Sequence, residues 1–209
     1  MNKTAVAVLS MFGLWSAVDR PTTAQQSAAE VRQSEPLSVR ARNISDLRIW
    51  DGLVTESARS GALRLRSQII DPMLPARTVE RFEQLYQGVR IVGADIVRDS
   101  ERGVPISIFG ELAPELRLSI TPTLSQEVVT AVMLRLGGAE SVLIETPETV
   151  IVRTPNDGYR LAYTGAVGGA SDVIRLFIDA HSGDLLESHT EVQRQQAAVG
   201  TGSGVLAGC

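Results

Sequence analysis

Turn signals constrain this chain more than any other feature. Between residues 61 and 190 they cut the sequence into apolar segments, most of them too short for a stable helix. Residues 61–70 alternate, with Leu63, Leu65 and Ile69 on one face and Arg64, Arg66 and Gln68 on the other. That period of two predicts a half-buried strand. Residues 79–97 are apolar around a break at Gln87-Gly88, with Gly93 beyond it. Glycine supplies the positive φ of a tight turn, so the stretch predicts a hairpin. Residues 99–103 (DSERG) form a second turn signal, and 104–109 return as a strand. The first half is expected to be an antiparallel meander, with Trp50, Phe109 and Gly110 in its core.

The second half opens on a helix. Gln126 follows Thr123 at capping-box spacing, and Val128, Val129, Val132, Met133 and Leu136 then recur at helical intervals up to Gly137-Gly138. Segments 141–145, 149–153, 159–164, 173–179 and 184–187 follow, bounded by turns such as Asn156-Asp157-Gly158 and His181-Ser182-Gly183. The predicted class is α+β: two small units, an antiparallel meander and then a helix packed on an antiparallel sheet.

Composition removes several functional classes. The 209 residues are 44% hydrophobic, enough for a core, and the net charge of −4 is spread without blocks. No basic patch exists to bind nucleic acid or an anionic membrane. Two histidines, His181 and His189, and one cysteine, Cys209, are too few for most catalytic chemistry. The histidines lack the H-E-x-x-H spacing of a helical zinc site, and no G-x-S-x-G accompanies them. Asp179 and His181 are expected to form a self-capping turn rather than an acid–base pair, and His189 to be an exposed linker residue. As it stands the chain is expected to be non-catalytic, with no catalytic, cofactor or metal residues.

Residues 1–24 have the form of an export signal: Lys3 gives a positive start, residues 5–18 are apolar, and small residues lead to a cleavage point at Ala24. The apolar run falls short of the ~20 residues that cross a bilayer, so no stable membrane anchor is expected. The mature product is expected to be secreted, periplasmic or extracellular. Residues 25–36 are polar and aperiodic, a linker. Residues 191–209 are rich in glycine and small residues and are expected to be a linker leading into something further.

Three stretches resemble one family, the prosegments of secreted thermolysin-like zinc metallopeptidases. In residues 81–93 (RFEQLYQGVRIVG), Arg81, Phe82, Gln84, Tyr86, Gly88 and Gly93 match the fungalysin/thermolysin propeptide hairpin. Tyr163, within Leu161-Ala162-Tyr163, and residues 177–186 with Asp179, Ala180 and Gly183 resemble the strands and D-A-x-[ST]-G turn of the PepSY domain. Residues 199–206 resemble the glycine-rich opening of the mature peptidase, although Ala207-Gly208-Cys209 departs from the family pattern. The resemblance implies a propeptide-like unit at 37–112, a PepSY-like unit at 119–190, and a truncated start of a peptidase domain within 191–209. It also implies a role as inhibitor and intramolecular folding aid of a thermolysin-like peptidase domain, in cis or in trans. Zinc and calcium would belong to that domain, and neither to this chain.

Two other readings stay open. The chain would be a fragment of the complete zinc metalloendopeptidase, or a stand-alone envelope binding or inhibitor module. The bland reading of Arg81, Gln84 and Tyr86 is structural, as residues that set hairpin geometry and packing.

Overall fold

A computed structural model describes residues 35–155, 158–168 and 172–191. The signal segment with Ala24, nearly all of the 25–36 linker, turn residues Asn156 and Asp157, and the glycine-rich tail beyond Glu191 lie outside the described residues. The elements run β1 (Leu37–Arg40), α1 (Ile44–Ser60), β2 (Leu63–Ile70), β3 (Arg77–Tyr86), β4 (Val89–Glu101), β5 (Val104–Leu112), α2 (Gln126–Gly137), β6 (Val142–Thr154), β7 (Gly158–Gly168), β8 (Val173–Asp179) and β9 (Leu185–Thr190). The class is α+β, as expected.

The strands form one sheet in the order β1-β5-β4-β6-β7-β8-β9, with β2 and β3 attached as a hairpin beside β4. Among the described residues every pairing is antiparallel except β4 with β6, where Arg90 faces Val150 and Ile91 faces Ile151. β4 is the pivot. One edge pairs with β3, while the other pairs with β6 at Arg90 and Ile91 and with β5 from Ile96 to Glu101. The irregular stretch between carries Gly93, whose φ is 79°. Meander and helix-covered sheet are therefore joined through one strand.

The first hairpin turns at Gln87 and Gly88, both with positive φ, as its sequence predicts. Arg102 and Gly103 form the second turn in the same way. Gly110 has a different reason to be glycine: a Cβ there would lie 2.0 Å from the Asp95 carbonyl oxygen. No side chain fits that approach between β5 and β4.

Each helix covers one region of the sheet. Asn43 caps α1 by accepting from the Asp46 amide at 2.9 Å, and Gly61 closes it in the left-handed conformation. Leu47, Trp50, Val54 and Ala58 line one face of α1 and pack with Val39, Leu63, Phe82, Ile96 and Ile108. α2 presents Val129 and Met133 to a second core that includes Ile151, Leu161, Tyr163, Val167 and Ile178. Ile91, Ala94, Ala113 and Leu116 join that core from the first half, so it crosses the seam. Full burial of one such side chain contributes roughly 1.5–3 kcal/mol.

Several expectations are corrected. α1 was not anticipated, although Asn43, Asp46 and Gly61 bracket it. Of Leu63, Leu65 and Ile69, only Leu63 is buried; Leu65 and Ile69 are exposed, and a bulge between Leu65 and Ser67 breaks the alternation before Ile69. Phe109 is 48% exposed, while Trp50 is half-buried against the first core. Segments 141–145 and 149–153 belong to one strand, β6, whose register shifts between Leu143 and Glu148. The cap of α2 is Ser125, which accepts from the Val128 amide at 3.5 Å. Thr123 instead contacts His181 Nδ1 through its hydroxyl, at 2.8 Å.

Candidate functional site: a strap held by both motifs

Residues 113–124 connect β5 to α2 and contain no helix or strand. A connection of that length has backbone groups that need partners wherever it crosses protein. The motif residues supply them. On β3, side chains alternate between faces, so Phe82, Gln84 and Tyr86 project together. Phe82 is buried in the first core and Tyr86 packs against the second. Gln84, between them, accepts from the Ala113 amide through Oε1 at 2.7 Å, and its Nε2 donates to the Ala113 carbonyl at 3.3 Å. The Tyr86 hydroxyl donates to the Leu118 carbonyl at 3.5 Å.

The far end of the strap is held by the second motif. The Tyr163 hydroxyl donates to the Leu124 carbonyl at 3.1 Å. The amides of Thr123 and Leu124 both donate to the Ala180 carbonyl, at 3.1 and 3.0 Å. Asp179 organises this turn from a buried position: its Oδ1 accepts from the His181 and Ser182 amides at 2.8 and 2.9 Å. Arg160 Nη1 lies 3.1 Å from its other oxygen. Gly183 follows with φ 80° and faces Leu124. Burial pushes the Asp179 carboxyl up, but the Ser182 and His181 amides, then Arg160 and His181, outweigh it and hold it below the usual carboxylate range.

Among the described residues, these contacts fix the backbone of the turn and the strap. Asp179 is engaged by amides and by Arg160, His181 Nδ1 by Thr123, and the Ser182 hydroxyl by Asp184 Oδ2 at 2.6 Å. No nucleophile–base–orienter relay joins the three. A cavity of about 330 Å³ beside the turn is lined by Leu118, Ser119, Tyr159, Arg160 and Asp184 among others. No cluster of three metal-binding side chains occurs among the described residues.

The remaining motif residues lie elsewhere. Arg81 is exposed on β3, Gly88 forms the hairpin turn, and Gly93 sits where β4 changes neighbours. His189 is on β9, against the expectation of a linker: its ring meets Phe177 edge-on, with centroids 5.8 Å apart, and Nε2 lies 3.1 Å from Glu187. Sequence reasoning missed the strap itself and the Thr123–His181 contact. The local hint was a pair of prolines, Pro114 and Pro122, in the run between a strand and a helix.

No family model matches the chain, and no curated protein matches it. Among solved structures, the Bacillus megaterium YpeB C-terminal domain is similar over 73% of this chain and 67% of its own, with 18% identity and a TM-score of 0.41. A likeness that distant carries no argument about function.

Proposed function

We propose that the chain is an exported prosegment, inhibitor and folding aid of a thermolysin-like zinc metalloendopeptidase. One observation supports this above the others: the residues that resemble the propeptide hairpin and those that resemble the PepSY turn hold opposite ends of the same strap. Gln84 and Tyr86 grip Ala113 and Leu118, while Tyr163 and Ala180 grip Leu124 and Thr123. The two sets of motif residues meet on one strap, which supports reading the resemblances together.

Such a unit works by occlusion and needs no catalytic residue. A tethered domain meets its target at an effective concentration of ~mM, so even ~μM intrinsic affinity keeps a cleft covered. Cutting the tether removes that advantage. No helix among the described residues is long and apolar enough to cross a membrane. Export is proposed on the residues 1–24 pattern alone. The zinc, and calcium with it, would be carried by the peptidase domain. A refolding experiment tests the proposal: a denatured thermolysin-like peptidase domain should regain activity faster, and in higher yield, with the full-length chain present. Equal recovery with and without the chain would count against the folding role.

A further inference from the structure

The sheet face turned away from α2 holds a polar cleft of about 530 Å³ that the prosegment reading does not use. Pairing places its residues. Glu148 on β6 lies opposite Thr164 on β7, and Thr164 lies opposite Phe177 on β8, so the three share one face. The next residue, Gly165, faces Met133 of α2, which fixes Thr164 on the open side. Arg90 and Arg175 enter the same cleft, as do Arg66 and Glu83.

Thr164 is the anomaly. It is 1% exposed, lines the cleft, and its hydroxyl has no hydrogen-bond partner among the described residues. A buried hydroxyl without a partner is costly, and threonine is nearly isosteric with valine. The two neighbouring arginines each pair with exposed carboxylates, and Arg90 Nε also lies 4.0 Å from buried Glu83. Arg90 Nη2 lies 3.1 Å from Glu148, and Arg175 lies 2.6 Å from Glu191 and 2.9 Å from Glu145. The glutamates are the exposed members of these pairs while both arginines are largely covered, so the carboxylate side is the one a ligand can replace. Glu83 is different: it is buried, and Arg64 Nε donates to it at 2.7 Å. A neighbouring carboxylate repels a dianion such as phosphate more strongly than a monoanion. Arg66 also lines the cleft, with its charge acting on the partly buried Asp95, and Phe177 and Val92 supply apolar wall.

We infer that this cleft binds a monocarboxylate with an apolar body, whose oxygens take the Thr164 hydroxyl as donor and replace Glu148 and Glu191 on Arg90 and Arg175. The glutamates act as placeholders that keep the arginines aligned until the ligand arrives. A small organic acid and a peptide C-terminus share this chemistry. The inference is independent of the prosegment reading.

The test is an NMR titration of the full-length chain with 3-phenylpropionate, with an Ala-Ala-Phe peptide bearing a free C-terminus, with 3-phenylpropionamide and with inorganic phosphate. Saturable shifts at the Thr164 amide and the Phe177 ring are expected with either carboxylate, and the tighter one names the source. Thr164→Val should weaken binding ~10-fold, the value of one hydrogen bond, while raising the unfolding midpoint. Arg175→Gln should weaken it without changing the fold, as judged by the remaining amide spectrum. The proposal is overturned if neither carboxylate gives saturable shifts, if the amide or phosphate matches them, or if both variants bind like the parent.

Discussion

Asp179 shows how a single side chain fixes a turn. Its carboxylate accepts two backbone amides and faces Arg160, and its pKa is held below the ordinary value of 3.8. A carboxyl depressed on folding contributes stability at pH values above its unfolded pKa. That contribution fades as pH falls below 3.8 and through the folded value. Asp179→Ala should therefore cost about 2 kcal/mol at neutral pH, and the gap to the parent should narrow on acidification. Denaturant melts at pH 7 and pH 3 check both statements. A constant gap would mean that the carboxylate's charge plays no part. Gly110 makes a harder prediction. Gly110→Ala places a methyl group against the Asp95 carbonyl at 2.0 Å in a backbone with φ 149°, and should cost about 3 kcal/mol or more. A thermal midpoint equal to the parent's would show that β4 and β5 separate more easily than their register implies.

At the level of elements, the strap is the feature on which the account depends. Gln84→Leu removes both hydrogen bonds to Ala113 and should cost about 1–3 kcal/mol, because the strap's amide and carbonyl lose their partner together. Hydrogen exchange should accelerate at the Ala113 amide, while that of Ala180, which donates to Leu161 at 3.0 Å, stays protected. Unchanged exchange at Ala113 would remove the clamp from the account. The pattern of what was legible follows from range. The turns at Gln87-Gly88 and Arg102-Gly103, and α2 with its glycine stop, are written in neighbouring residues, and the sequence announces them. α1 was obscured because Ile44, Ile49 and Leu53 put apolar side chains on its exposed face, blurring the stripe around Val54. β6 looked like two strands because Pro147 and the surrounding register shifts interrupt its alternation. The strap could not be seen at all: Gln84, Tyr163 and His181 reach it across 29, 39 and 58 residues of sequence. No local pattern encodes such contacts.

For the whole molecule, β4 decides whether the two halves behave as one. Among the described residues, direct pairing across the seam is limited to Arg90 with Val150 and Ile91 with Ile151, but the second core draws Ile91, Ala94, Ala113 and Leu116 from the first half. A shared core of that kind couples the halves, and the strap bridges them a second time. Gln84 and Tyr86 from one motif and Tyr163 and Ala180 from the other hold the same strap, and the proposed role as an occluding prosegment rests on that union. Its most direct test is a titration of the full-length chain into a mature thermolysin-like peptidase whose own prosegment carries the same hairpin and turn motifs. The readout is the initial rate against a small peptide substrate. The rate should fall with added chain to a saturating limit, and the inhibition should fade as the peptidase nicks the chain. A rate unchanged at saturating chain would contradict the occluding role.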